Sequence, residues 1–326
     1  MTLPLRLGLI GCGRAAERLW LAAFRAVHEV RLAAVVDPQA DRRAALSRQT
    51  PGCRMLERLE ELALGRDVDA VVVTSPPETH FDLARRALEA GCPVLVEKPL
   101  ASTVAQAIEL DRLRRSTGTP LMVGLNRRWW APVRALRERL SHRGSGECRA
   151  ELVFVTNAAE WAAVAGVPDL LDDLGTHQLD LLRFLFDREI ASVSARHTAA
   201  STVEMEVKLA DGSSARCRIG HDGSSTESIF VTGGSLVAWI HGGSDRLSPA
   251  AGSVRATLDF ADRALHKMTG RRSAMRRSFE HQLRAFAGAV RSRAEPSPDA
   301  ADGLAAVRAV AAARASLARG GTPVTP

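Results

Sequence analysis

The chain has 326 residues, of which 46% are hydrophobic and 25% charged. This length suggests two domains, and the composition is that of an ordinary globular protein, which excludes a disordered or collagen-like chain. The formal net charge is +7, from 44 Lys and Arg against 37 Asp and Glu. A nucleic acid, an anionic membrane and an acidic substrate therefore all have to be considered as partners.

Cysteine use and hydropathy indicate whether the protein has disulfides, a zinc site or a membrane span. The cysteines are odd in number, scattered and without a C-x-x-C pair, which argues against a disulfide framework and a zinc site; they are Cys12, Cys53, Cys92, Cys148 and Cys217. The apolar start lacks the basic region of a signal peptide, and apolar runs stay below the roughly 18 residues of a spanning helix. We expect a cytoplasmic protein with reduced thiols and no membrane partner.

The first 125 residues alternate short apolar runs with amphipathic segments. Such runs are typical of strands buried on both faces of a parallel sheet, and they are Leu5–Ile10, Leu32–Val36, Ala70–Val73, Pro93–Val96 and Leu121–Val123. Helical patterns lie between them at 17–27, 54–64, 78–90 and 103–115. The alternation predicts an α/β fold, with a doubly wound Rossmann domain over residues 1–124.

The pattern then changes to consecutive strands with glycine-containing turns. Glu204–Leu209 and Ser214–Ile219 flank Asp211-Gly212, which is typical of an antiparallel hairpin. A helix is predicted over 168–186, and further helices over 278–291 and 302–318. Residues 125–326 are therefore predicted to form an α+β domain with a largely antiparallel sheet.

A dinucleotide-binding motif follows the first predicted strand. Residues 11–16 read G-C-G-R-A-A and fit G-x-G-x-x-G/A between a strand and a helix. Gly11 permits a tight turn, Gly13 lets the backbone approach a pyrophosphate, and Ala16 permits close packing of helix on strand. The helix N-terminus, which includes Arg14, offers N–H groups to the phosphates.

An acidic residue ends the second predicted strand. Asp37 lies where it can accept hydrogen bonds from the adenosine ribose and repel a 2′-phosphate, which favours NAD over NADP. Arg14, Arg42 and Arg43 could instead accommodate that phosphate, so NADP stays open as an alternative.

Two further segments carry groups suited to proton and hydride chemistry. Lys98 follows a parallel strand at the edge where such sheets bind ligands, and a cation there can stabilise the alkoxide that develops as hydride leaves. Asp173 and His177 share one face of a helix, and a histidine exchanges protons near neutral pH. A metal held by Asp173, His177 and Asp180 is allowed by the spacing, but a catalytic metal also wants a polar second shell, and we expect no metal.

These segments together resemble one family. The stretches T-S-P-P-E-T-H from Thr74, G-C-P-V-L-V-E-K-P-L from Gly91, G-L-N-R-R from Gly124 and D-L-G-T-H-Q-L-D from Asp173 resemble the glucose–fructose oxidoreductase/inositol dehydrogenase/MocA family (Gfo/Idh/MocA) over essentially the whole chain. The combination of Glu-Lys-Pro with D-x-G-x-H is specific to it.

The resemblance implies roles for named residues. Lys98 and His177 contact the reacting hydroxyl, His177 is the acid/base, and Asp173 helps to position the substrate. Further implied contacts are Ser75, Pro76 and Glu97 with the cofactor, and Asn126 and Arg127 with the substrate; interdomain salt bridges are the alternative for the last two. His80 is predicted to cap or pack rather than to act in catalysis. The chain has no Tyr, although relatives often use one near the substrate.

The motifs predict an NAD(P)-dependent oxidoreductase that acts on a secondary alcohol of a sugar, aminosugar or cyclitol. One alternative is an NAD-dependent glycosidase in which oxidation is transient, and another is a non-catalytic NAD(P)- or sugar-sensing regulator on the same scaffold. The retained Lys98, Asp173 and His177 argue against the regulator.

The positive charge is concentrated in one segment. Residues 263–293 contain nine basic side chains and one acidic one, but they include no nucleic-acid recognition motif. A solvated helical face or a subunit contact is the favoured interpretation, and an anionic substrate is the alternative. We expect a homo-oligomer, dimeric or tetrameric, with no nucleic-acid partner.

Overall fold

The computed structural model describes residues 3–142, 146–157, 169–241 and 274–326. Backbone contacts divide the chain into two compact units. The first comprises Met1–Asn126 and Arg276–Val307, and the second comprises Arg127–Met275 and Arg308–Pro326. Across the described ranges, no helix combines the length and the apolar character that a membrane crossing requires.

The first unit is built on a six-stranded parallel sheet. Its strands are β1 (Leu5–Ile10), β2 (Val30–Val36), β3 (Arg54–Leu56), β4 (Ala70–Val73), β5 (Val94–Glu97) and β6 (Leu121–Gly124), in the order β3-β2-β1-β4-β5-β6. All four residues of β4 are fully buried, as expected for a strand covered on both faces. The strand order reverses between β1 and β4, which confirms the predicted doubly wound domain and creates a crevice at the carboxyl ends of these strands.

Four helices connect these strands: α1 (Leu21–Ala26), which continues a π-helical turn over Ala16–Trp20, α2 (Ala40–Ser47), α3 (His80–Glu89) and α4 (Val104–Thr117). In α4 the sequence fixes both ends of the helix. Thr103 Oγ1 accepts a hydrogen bond from Gln106 N at the start, and Gly118 ends the helix at φ +64°.

The helix predicted over 54–64 is wrong. The segment contains β3 and a 3₁₀ turn at Leu59–Glu61 instead. Leu56, Leu59 and Leu62 are all buried, and their spacing of three imitates a helical face. Pairing of β3 with β2 overrides that local preference.

The second unit contains a six-stranded mixed sheet. Its strands are β7 (Arg149–Asn157), β8 (Ile190–Ala199), β9 (Thr202–Leu209), β10 (Ser214–Gly220), β11 (Asp222–Gly233) and β12 (Leu236–His241), in the order β12-β11-β7-β10-β9-β8. Every neighbouring pair is antiparallel except β7 and β10. The prediction of a largely antiparallel sheet is therefore confirmed. The described helices of this unit include α5 (Ala131–Ser141) and α6 (Thr176–Phe186).

The two helices predicted near the end of the chain are present as α7 (Ala274–Ser292) and α8 (Ala300–Ala318). Phe279 packs edge-to-face on Trp20 with ring centroids 5.1 Å apart, and Gln282 Nε2 donates to the Val123 carbonyl at 2.7 Å. Backbone contacts accordingly group 276–307 with the first unit. The domain boundary at residue 124/125 stays a prediction.

The described part of the basic segment binds its own unit. Arg284 Nε lies 3.1 Å from Glu29 Oε1, and Arg291 donates to the carbonyls of Leu3 and Glu29. These two arginines hold α7 against the beginning of β1 and β2. Residues 263–273 of the segment lie outside the described residues.

Candidate active site

The glycine loop lies between β1 and the helical segment that follows. Gly11 has φ +96°, and a Cβ at this position would stand 2.5 Å from Ser75 N, so only glycine fits. At Gly13 a Cβ would meet nothing nearer than Thr74 O at 3.9 Å. The protein's own packing therefore does not require glycine at 13, and the open space beside its backbone fits the approach of a pyrophosphate.

Asp37 follows β2 and is 3% exposed. Its Oδ2 accepts from Cys12 N at 2.7 Å and its Oδ1 from Gln39 N at 2.8 Å. Each carboxylate oxygen has two lone pairs, so acceptor capacity remains for ribose hydroxyls. Burial, with help from Asp37, raises the pKa of Cys12 to about 12, which keeps this thiol neutral in the loop.

The arginines after Asp37 bear on the choice between NAD and NADP. Arg43 Nη1 donates to the Asp37 carbonyl at 2.6 Å, and its Nη2 lies 3.9 Å from Glu57 Oε2. Arg43 is therefore turned toward the protein's own oxygens, and the carboxyl group of Asp37 lies at the strand end. Both observations fit a cofactor without a 2′-phosphate.

The loop after β4 borders the glycine loop. Thr74 Oγ1 donates to the Gly11 carbonyl at 2.7 Å, and Ser75 Oγ lies 2.6 Å from Thr79 Oγ1. Thr79 Oγ1 in turn donates to the Pro76 carbonyl. Ser75 and Pro76 are thereby held at the crevice between β1 and β4, where the sequence predicts cofactor contacts.

Lys98 follows β5 at the same carboxyl edge of the sheet and is half-buried. The preceding carboxylate of Glu97 accepts from Trp20 Nε1 at 2.8 Å and from Lys98 N at 3.2 Å. The peptide bond between Lys98 and Pro99 is cis. Glu97 thus bonds within the protein, and its contact with the cofactor stays a prediction.

Asp173 and His177 lie on one continuous helical segment. A π-helical turn over Leu171–Gly175 leads directly into α6, in which His177 is 5% exposed. A Cβ on Gly175 would be in ordinary contact with Ile219 Cδ1 at 3.5 Å, so this turn lies beside β10. Gln178 Nε2 donates to the carbonyls of Leu152 and Arg218, which ties the helix to two strands.

Asp180 belongs to a buried ion pair. Arg128 Nη2 and Nε bind its carboxylate at 2.6 and 2.9 Å, and the two side chains are 6% and 1% exposed. The Arg128 guanidinium also lies 5.1 Å from the Phe184 ring centroid. Asp180 is thus a partner of Arg128, and among the described residues no three His, Cys, Asp or Glu side chains are grouped as a metal site.

The two predicted substrate residues after β6 have protein partners. Asn126 Nδ2 donates to Ser278 Oγ at 3.0 Å. The buried Arg127 pairs with Glu227 and lies 4.8 Å from the Trp130 ring centroid. Their role in substrate binding stays a prediction.

Two buried histidines have partners that sequence reasoning did not identify. His80, predicted to cap or pack, is 1% exposed, and its ring contacts the carbonyls of Pro99 and Ser75. His221, directly after β10, is 7% exposed, and its Nδ1 lies 2.8 Å from Thr156 Oγ1. Position at a strand or helix end was the available signal, but Pro99 and Thr156 lie 19 and 65 positions away.

The glycine loop at the reversal of the strand order and the acidic residue after β2 are the features of a Rossmann-type, dinucleotide-binding unit. Residues 5–125 match the model of the Gfo/Idh/MocA oxidoreductase family with an NAD-binding Rossmann fold. This match lies within the first unit, and its NAD-binding fold agrees with the prediction of NAD from the glycine loop and Asp37.

Relatives extend the likeness over the chain. It is 27% identical to inositol 2-dehydrogenase of Leifsonia xyli over 96% of this chain and 94% of that protein. It is also 32% identical to inositol 2-dehydrogenase 2 of Saccharopolyspora erythraea, over 60% of this chain and 58% of the relative. The structure of scyllo-inositol dehydrogenase from Lactobacillus casei with NAD(H) and scyllo-inositol matches with a TM-score of 0.81, 16% identity and 99% coverage of both chains.

Proposed function

We propose that this protein oxidises a secondary alcohol of a cyclitol or sugar with NAD, and reduces the corresponding ketone in reverse. The observation that carries the proposal is Lys98 at the carboxyl end of β5, on the sheet edge that also carries the glycine loop and Asp37. The dinucleotide, when bound, supplies the nicotinamide carbon that accepts or donates the hydride.

Lys98 and His177 both act on the reacting hydroxyl in this proposal. The ammonium group of Lys98 stabilises negative charge on the oxygen as the C–H bond breaks. His177 takes up the hydroxyl proton as a general base, and returns it in the reductive direction. Asp173, four residues before His177, orients the substrate or the imidazole.

His221 is a further candidate for substrate binding in the second unit. It directly follows β10, two residues after Ile219. Ile219 is on the face that Gly175 approaches. Gln178, three residues after Gly175, bonds to the carbonyls of Leu152 and Arg218, which come earlier in their strands than Ile219 and its partner Phe154. The helix therefore runs from the carboxyl ends of β7 and β10 toward their beginnings. Asp173 therefore lies toward the strand ends, as His221 does.

The imidazole of His221 has one nitrogen that could bind a substrate hydroxyl. Thr156 Oγ1 holds its Nδ1, whereas its Nε2 is buried and has no hydrogen-bond partner within the described structure. A buried polar atom without a partner is costly, and a substrate hydroxyl would satisfy it. In a chain without tyrosine, this nitrogen supplies a contact that a phenol could otherwise make.

Replacing His221 by Phe should keep the ring volume and remove this contact. We expect kcat/KM to fall about 5–150-fold, as for loss of a bond worth roughly 1–3 kcal/mol, with the affinity for NAD unchanged. The measurement is steady-state kinetics at saturating NAD beside isothermal titration with NAD. His197→Phe changes an exposed histidine of β8 and should have no effect; an unchanged kcat/KM in His221→Phe removes the residue from the site.

The proposed reaction is tested by a panel of inositols, sugars, aminosugars and nucleotide sugars, each read by NADH absorbance. We expect net NADH with at least one cyclitol or sugar. Cleavage of a glycoside without net NADH would instead identify a glycosidase with transient oxidation, and no turnover beside tight NAD binding would favour a regulator. A KM that rises with salt only for charged substrates would indicate an anionic substrate.

We further propose a reducing compartment and a homo-oligomer. The five cysteines are free thiols, which fits the cytoplasm. The sheet of the second unit carries a polar row on β9 and β10, where Glu206 faces Arg216 and Glu204 faces Arg218. Such a charged face suits either solvent or a second copy of the chain.

A further inference from the structure

His80 connects two loops at the carboxyl edge of the Rossmann sheet. It begins α3 and is 1% exposed. Its Nδ1 lies 2.7 Å from the Pro99 carbonyl oxygen, and its Nε2 lies 2.9 Å from the Ser75 carbonyl oxygen. These carbonyls belong to the loops after β5 and β4, which are adjacent strands. One buried ring thus spans two neighbouring loops.

The Ser75 end of this connection lies against the glycine loop. Gly11 is so close that a Cβ there would stand 2.5 Å from Ser75 N, and Thr74 donates to the Gly11 carbonyl. The backbone around Ser75 is therefore in contact with the segment predicted to hold the pyrophosphate. The Ser75 carbonyl that His80 contacts is therefore held in place relative to the predicted cofactor-binding loop.

The Pro99 end lies next to Lys98. On the other side of Lys98, the Glu97 carboxylate is held by Trp20 Nε1 at 2.8 Å and accepts from Lys98 N. Trp20 is fully buried. The backbone of Lys98 is thus fixed before the residue by Glu97 and after it by His80, through two independent sets of bonds.

The ring of His80 lies between two hydrogen-bond acceptors. Burial lowers the pKa of His80, the two carbonyl acceptors oppose this effect, and the positive charge of Lys98 adds to it. A neutral imidazole carries one N–H and donates to one of the two carbonyls at a time, whereas the protonated ring donates to both. In either state a rigid ring of fixed size keeps the two carbonyl oxygens at a set separation.

We propose that His80 is a positioning residue that sets the place of Lys98 relative to the cofactor loop. This inference rests on the proposed function, in which Lys98 acts on the reacting hydroxyl. Lys98 reaches its proper place only while His80 keeps Pro99 in register with Ser75. The ammonium group of Lys98 then meets the substrate alcohol at a fixed place, because the backbone of Lys98 is held relative to the loop predicted to bind the dinucleotide.

The central test replaces His80 by Phe, which keeps a ring and removes its hydrogen bonds, and by Gln, which restores a donor. We expect kcat to fall about 10–100-fold in His80→Phe, as for a small displacement of a reacting group, with NAD affinity by calorimetry nearly unchanged. His80→Gln should recover part of kcat. Asp82→Asn, at an exposed position of the same helix, is the matched control. Unchanged kcat in both His80 variants, or a parallel loss in Asp82→Asn, overturns the proposal.

A double-variant cycle separates this inference from the proposed function. If His80 acts through Lys98, His80→Gln has no further effect on the residual turnover of Lys98→Ala, whereas an additive loss overturns the positioning role. Near-wild-type turnover in Lys98→Ala contradicts the proposed function itself. An inactive Lys98→Ala beside fully active His80 variants contradicts only the role of His80.

A chemical readout does not depend on the substrate. Acylation of Lys98 by an amine-reactive reagent can be followed by mass spectrometry, with the exposed Lys208 of β9 as internal reference. In His80→Gln we expect faster labelling of Lys98 relative to Lys208, because the released loop exposes the amine. An unchanged ratio contradicts the proposal, and circular dichroism of each variant checks that it folds.

Discussion

Turnover should fall by about 10²–10⁴-fold when Lys98 or His177 is replaced by Ala, while NAD still binds. The magnitude is that of a general acid/base or of a group that stabilises a developing oxyanion. Neither residue belongs to the glycine loop or to Asp37, which hold the predicted contacts to pyrophosphate and ribose. The loss should therefore appear in kcat and kcat/KM rather than in the dissociation constant for NAD.

Two control variants accompany this experiment. Lys208→Ala removes an exposed lysine from β9, and His142→Ala removes an exposed histidine that follows α5. Both should retain wild-type turnover. If Lys98→Ala and His177→Ala also turn over at nearly the wild-type rate, the assignment of the acid/base machinery is wrong, whatever substrate is used.

The second large effect concerns stability. Replacing Arg128 by Met should leave the Asp180 carboxylate, 1% exposed, without its cationic partner. Breaking a buried pair in this way costs about 3–5 kcal/mol. In a protein of this size that corresponds to a melting temperature lower by roughly 4–7 °C. Thermal unfolding followed by circular dichroism measures the shift.

The matched variant replaces both partners. Because Arg128→Met with Asp180→Leu removes the charges together, it should restore most of the lost stability. At the exposed pair Arg196–Glu204, which is 3.3 Å long, Arg196→Met should change little. A melting temperature in Arg128→Met equal to that of the wild type would show that the pair does not stabilise the second unit.

Structural features that depend on residues close together in the chain can be predicted from the sequence. Buried runs such as Ala70–Val73 read directly as parallel strands, and the glycine loop is identified because Gly11 and Gly13 stand between a strand and a helix. Asp37 follows from its position at a strand end. Each of these signals lies within a short stretch of the chain, where local backbone preference and burial agree.

Features that depend on distant partners are not visible in the sequence. The bonds of His80 to Pro99 and of Trp20 to Glu97 join residues 19 and 77 positions apart. Arg128 and Asp180 are 52 positions apart. In β3, pairing with a neighbouring strand decided the structure against a helical spacing of leucines. Such outcomes depend on which surfaces meet after the sheet has formed.

The division of the chain into two interleaved units has a consequence for biosynthesis. The Rossmann unit takes its packing partners for Trp20 and Val123 from α7, and its last residues extend to Val307. While the chain emerges from the ribosome, residues 1–126 therefore lack these packing partners until almost the whole protein has been translated. Folding of the cofactor-binding half is completed late, after the intervening sheet of the second unit has left the ribosome, so a nascent chain that stalls before α7 presents an incomplete nucleotide-binding unit to chaperones and proteases.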